Sequence, residues 1–113
     1  MAFYLSAENS DGNELPEVGF SHGVLVYWAK KAAEYNLPIM AEMYETAFSE
    51  GFHIFGEQLK KLKNEAELLN IQLEREGEER TIEYKNGGTI TSNLVALDRF
   101  RNALVKAEEV WIS

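Results

Sequence analysis

The sequence predicts one α+β domain, about four helices packed on a small sheet that contains both the N- and C-terminal strands. Three observations carry this. Short aromatic or β-branched runs stand near both ends of the chain, Ala2–Ala7 and Val110–Ile112. Between them, four segments repeat apolar residues at helical spacing. The composition, 45% apolar and 27% charged with two Trp, five Tyr and six Phe, is that of a chain with a packed core. At 113 residues the chain is long enough for one core and too short for two, so residues 1–113 are read as a single domain.

Ala2–Ala7 is expected to be a strand, ended by a polar segment in which Asp11-Gly12-Asn13 forms a turn. Ser21 is the expected N-cap of the first helix, because its hydroxyl can accept from an unpaired amide of the first turn. Val24, Trp28, Lys31/Ala32 and Tyr35 then follow at helical spacing, with Leu25 and Tyr27 widening the stripe. Asn36 suits a left-handed stop, and Pro38 suits the first turn of the next helix. Met40, Met43/Tyr44 and Ala47/Phe48 mark the buried face of that second helix, and Gly51 is its expected terminator.

Phe55, Leu59, Leu62, Ala66, Leu69 and Leu73 alternate four and three residues apart, which predicts a third helix over about His53 to Arg75. Leu69, Ile71 and Leu73 also alternate by two, so a strand over residues 70–75 competes for its end. Gly77 breaks the pattern. Residues 80–91 read as a hairpin around Asn86-Gly87, with Ile82 and Tyr84 on one face and a type I′ turn that needs positive φ at both central residues. This hairpin is a candidate member of the same sheet. Ser92 or Thr91 caps the last helix, whose stripe is Leu94, Leu97, Phe100/Arg101, Leu104 and Ala107. The terminal strands have no strand next to them in sequence on this reading, so they are expected to pair with each other or with the hairpin. Phe3 and Leu5 should then share a face, as should Val110 and Ile112, with Trp111 opposite or covering an edge.

The net charge is −8, and residues 1–50 hold eight acids against Lys30 and Lys31 alone. Such a field repels nucleic-acid backbone and anionic membrane and favours a basic partner. Glu8, Asp11, Glu14, Glu17, Glu42 and Glu45 are the candidate acidic binding surface. The chain lacks cysteine, which rules out disulfides and thiolate metal sites and suits a reducing compartment. Charged residues interrupt every apolar run, and no basic, apolar leader follows Met1, so the expected location is cytoplasmic.

Catalytic signatures are sparse. Glu50 and His53 form Glu-x-x-His, and Glu57 adds a carboxylate four residues on; oxygen and imidazole ligands on one helix face are the chemistry of a divalent metal site. A second such motif is missing, and Gly51 stands between the two ligands. His22 is a remote acid–base candidate. Asn9–Glu17 resembles a calcium loop only around Gly12, since Ala7 and Val18 fall on essential ligand positions; a solvated turn is the better reading. Gly87-Gly88-Thr89 lacks the Lys and Ser/Thr of a phosphate loop. Lys60, Lys61 and Lys63 are surrounded by Glu57, Glu65 and Glu67, as on a solvated helix face. The Phe55–Leu73 stripe permits a homodimer seam, but it spans under three heptads and suits the domain's own core better. The expectation is therefore a small acidic interaction module without a cofactor, an adaptor, regulator or inhibitor of a basic protein. The alternative is a small enzyme or metal protein using Glu50, His53 and Glu57.

Overall fold

The computed structural model describes residues 2–83, 85–87 and 89–113. Six strands and four helices follow one another as β1 (Ala2–Glu8), β2 (Val18–Ser21), α1 (His22–Glu34), α2 (Pro38–Ser49), β3 (Phe52–Phe55), α3 (Gly56–Arg75), β4 (Thr81–Glu83), β5 (Thr89–Thr91), α4 (Asn93–Leu104) and β6 (Glu109–Ile112). The main sheet is antiparallel, in the order β2-β1-β6-β3. The two ends of the chain therefore form its centre, as the sequence predicts.

The register explains which side is covered. Leu5, Ile112 and Phe52 stand in one cross-strand row, and Ala7, Val110 and Ile54 in the next. All six are buried, as are Phe3 and its partner Phe20. By the two-residue period the opposite face carries Tyr4, Ser6, Trp111, His53, Phe55 and Glu109. The helices pack on the first face only. Trp28, Met40, Met43, Leu62, Leu69, Leu97, Phe100 and Leu104 from all four of them complete one core with the sheet.

The helix boundaries follow local chemistry. The Ser21 hydroxyl accepts from the Val24 amide, and the Ser92 hydroxyl from the Leu94 amide, so both expected caps form. Asn36 takes φ +57°, the left-handed conformation expected of it. Pro38 opens α2, whose N-cap, Leu37, has no side chain able to accept. Glu65 of α3 caps α2 in its place, its two oxygens accepting from the Ile39 amide at 3.2 Å and the Met40 amide at 2.9 Å.

Several expectations are corrected. The third helix starts at Gly56, and Phe52–Phe55 is a strand. Gly51 at φ +87° ends α2, and Gly56 at φ +60° turns the chain from strand into helix, so the two glycines bracket β3. Within β3 burial alternates, and Phe55 is 60% exposed instead of belonging to the α3 stripe. The end of α3 is helical through Arg75, which removes the strand reading of residues 70–75. Val18–Ser21 is a strand paired with β1, so the N-terminal strand does have a sequence-adjacent partner. The hairpin pairs Glu83 with Thr89 and forms a separate two-stranded sheet. Gly87 takes φ +84°, but the pairing of Glu83 with Thr89 is not the register that a two-residue turn at Asn86-Gly87 sets, which pairs residues 85 and 88. Tyr84 and Gly88 lie outside the described residues.

Candidate functional site

The sheet has two edges, and they differ. Tyr4 and Ser113 exchange both main-chain hydrogen bonds, at 2.9 and 3.2 Å. Antiparallel pairing alternates, so Ser6–Trp111 is the next such pair, and Val110 and Ile112 turn their N–H and C=O towards β3. Phe52 and Ile54 answer them. The N–H and C=O of His53 and the N–H of Phe55 consequently point out of the sheet, along the free edge of β3, while the Phe55 carbonyl, at the N-cap of α3, serves the first turn of that helix. The same alternation aims Gly19 outward from β2, but there the Arg99 guanidinium donates to the Gly19 carbonyl at 3.1 Å and lies over the Phe20 ring. Arg99 thus covers part of one edge, while β3 borders a groove.

That groove has a volume of about 630 Å³ and runs between β3 and α2. Ile39, Glu42, Thr46 and Glu50 line it from the α2 side. Their spacing of three and four residues places them on one helical stripe. Phe52, His53, Ile54 and Phe55 line the strand side, and Glu57 stands at its end on the first turn of α3. Glu42, Glu50 and Glu57 are all exposed. Apolar walls and three carboxylates therefore meet beside unpaired main chain.

Above the groove, on the uncovered sheet face, His53 stacks on Trp111 with ring centroids 4.9 Å apart and planes 6° apart. Its Nε2 lies 2.7 Å from Glu109 Oε1, a hydrogen bond when that nitrogen carries the proton. Phe55 is the next ring, 5.3 Å away. On the other side of Trp111, Glu8, Glu14 and Glu17 surround a smaller hollow of about 300 Å³ with Ser6, whose hydroxyl donates to Glu17.

The structure divides the sequence-predicted acidic surface. Glu8, Glu14 and Glu17 gather by Trp111, and Glu42 joins the β3 groove. Glu45 instead faces a hollow with Val26, Tyr44 and Phe48. Asp11 sits in the turn after β1, where its amide and that of Asn13 donate to the Asn9 side chain. Glu50, His53 and Glu57 do line one groove, but not one helix face: Glu50 caps α2, His53 is on β3 and Glu57 on α3. Among the described residues no group of three or more His, Asp or Glu side chains is arranged to hold a metal ion. His22, the other histidine, stacks on Phe3 and lies 3.0 Å from the Tyr44 hydroxyl through Nδ1.

Sequence reasoning missed Phe55, Trp111 and Glu109 as site residues. The available signal was Gly51 and Gly56 flanking a four-residue run in which Phe52 and Ile54 alternate with His53 and Phe55. Lys63 leaves the supposed basic cluster to donate to the Ala107 carbonyl beyond α4, at 2.9 Å. Fold and groove together define an antiparallel α+β domain with one covered sheet face and one free acidic edge. Comparison with known proteins finds no matching family model, no similar curated protein and no similar solved structure. No helix among the described residues is long and apolar enough to cross a membrane.

Proposed function

We propose that this chain is an acidic protein-interaction module that captures a basic partner, acting as an adaptor, regulator or inhibitor. The observation that carries the reading is the groove beside β3, where Glu42, Glu50 and Glu57 ring an apolar floor of Ile39, Phe52 and Ile54. Carboxylates on the rim of an apolar groove hold Lys and Arg by both parts of those side chains, stem and head. The net charge of −8 supports a basic protein over nucleic acid or an anionic membrane. The proposed location is the cytoplasm, which suits a small domain without cysteine.

Retention of proteins from native lysate on the immobilised chain, at low and high salt, tests this. The expected result is a basic partner held at low salt and released as salt rises, because screening shortens the reach of exposed charges. A variant carrying Glu42→Gln, Glu50→Gln and Glu57→Gln, with an unchanged circular dichroism spectrum, should lose that partner. A partner indifferent to both salt and variant refutes the reading, as does finding none.

A further inference from the structure

We infer that the basic partner is captured as an added β-strand, an extended segment with Lys or Arg at alternate positions that pairs with the free edge of β3. The inference rests on the acidic-module reading and adds the mode of binding. His53 offers an outward N–H and C=O, and Phe55 an outward N–H, the template for strand addition. A strand added there alternates its side chains between the two sheet faces. One set falls on the α2 side, over Ile39 and Thr46 and within the ring of Glu42, Glu50 and Glu57. Those positions suit Lys or Arg, with the aliphatic stem on the apolar wall and the charge at the carboxylates. The other set falls on the uncovered face beside Phe55, which is 60% exposed, and suits apolar side chains. The opposite edge is the poorer template, since Arg99 already occupies the outward carbonyl of Gly19. Charge also argues against a second copy of this chain on β3. Two such edges would bring both sets of Glu42, Glu50 and Glu57 together, with, among the described residues, no lysine or arginine lining the groove and only Lys60, 3.2 Å from Glu57, beside it.

The probe is an acetylated peptide alternating lysine and valine, titrated into the ¹⁵N-labelled chain. The expected result is shift changes centred on the His53 and Phe55 amides, slowed exchange of both, and affinity that falls with salt. The same peptide N-methylated on the amides that face β3 should bind at least about tenfold more weakly, the loss expected on removing one or two main-chain hydrogen bonds. Equal binding of the two peptides, or shifts confined to the Glu8–Glu14–Glu17 hollow, overturns strand addition. If the lysate partner is still held in a salt-dependent way in that case, the acidic-module reading stands and only the mode fails. Sedimentation of the chain alone closes the remaining route: a dimer with His53 and Phe55 amides already protected would assign the edge to a second copy and overturn the inference.

Discussion

Glu65 shows how much one side chain can organise. It is 7% exposed, and it spends both carboxylate oxygens on the first free amides of another helix, those of Ile39 and Met40. The negative charge also meets the positive end of the α2 dipole. Glu65→Gln would set an NH₂ group against one of those N–H donors, and Glu65→Ala would leave both unpaired. Charge-assisted bonds of this kind are worth about 1.5–3 kcal/mol. Urea unfolding should therefore show Glu65→Gln to be less stable by about 2 kcal/mol, while Lys61→Ala, on the exposed side of α3, changes stability by less than about 0.5 kcal/mol. Equal stability of the two variants would show that water replaces the cap. A second latch lies on α1, where Tyr27, Lys31 and Tyr35 recur every four residues. The Tyr27 hydroxyl donates to Glu78, the Tyr35 hydroxyl donates to Glu76, and the Lys31 ammonium donates to Glu76 at 2.6 Å. Burial and the Glu78 carboxylate push the Tyr27 hydroxyl well above its ordinary range, so it remains a donor at any physiological pH. The bond to Glu76 raises Tyr35 in the same sense. These three side chains fix the turn that follows α3. By contrast Trp28 is wholly buried with no partner for Nε1 among the described residues, and its packing between Phe20 and Phe100 carries its contribution.

At the scale of elements, β6 is the member on which the sheet depends, because it separates β1 from β3 and pairs with both. Deleting residues 109–113 would remove buried Val110 and Ile112 and unpair two strands at once. The truncated chain should lose its cooperative thermal transition, followed by circular dichroism; a transition like that of the full chain would refute this account of the sheet. The pairing of the two chain ends was legible because a short apolar strand cannot leave its backbone unsatisfied in isolation. The helices were legible for a related reason: their stripes are long enough for the period to show, and Ser21, Ser92, Asn36 and Pro38 mark their limits. What sequence reasoning missed was the pair of four-residue strands. Phe55, standing four residues before Leu59, extended the helical stripe backwards over β3, although Gly56 lay between them. Val18–Ser21 holds two alternating apolar residues, too few to separate a strand from a loop. The candidate site suffered from the same error. Assigning His53 to a helix put it on a face with Glu57, whereas strand geometry turns it to Trp111 and Glu109 on the uncovered face. The acidic character of the surface was readable from charge alone, but its division into a groove and a hollow depends on long-range pairing.

For the molecule as a whole, the charge of −8 is offset locally by a band of ion pairs that ties the end of α3 to α4 and to the approach to the hairpin. Arg80 reaches Asp98 at 2.7 Å and Glu74 at 3.2 Å, and Arg101 reaches Glu67 at 2.7 Å and Asp98 at 3.1 Å. The Arg80 carbonyl also accepts from the Ser92 amide, so the same residue joins the base of the hairpin to the start of α4. The Arg80 guanidinium holds the Asp98 carboxyl below its ordinary range, and Arg101 does the same to Glu67. Both carboxyls titrate lower in the folded chain than in the unfolded one. Their stabilisation is therefore complete above the unfolded carboxylate range, near pH 4, and is lost as pH falls through the lower folded values. In that window the unfolded chain binds more protons than the folded one, so unfolding free energy falls with falling pH. Elsewhere on the surface, protonation relieves repulsion among acids that have no base beside them, which acts in the opposite sense. A double variant, Glu67→Gln with Asp98→Asn, separates the two effects. Both versions keep the relief of repulsion, but only the parent chain keeps the depressed carboxyls. Urea unfolding between pH 6 and pH 3 should show the parent more stable at pH 6, with the difference shrinking as the pH approaches 3. The partial exposure of these side chains keeps the effect modest, and added salt should reduce it further. If the two curves stay parallel over the whole range, the ion-pair band does not contribute to holding α3 and α4 together.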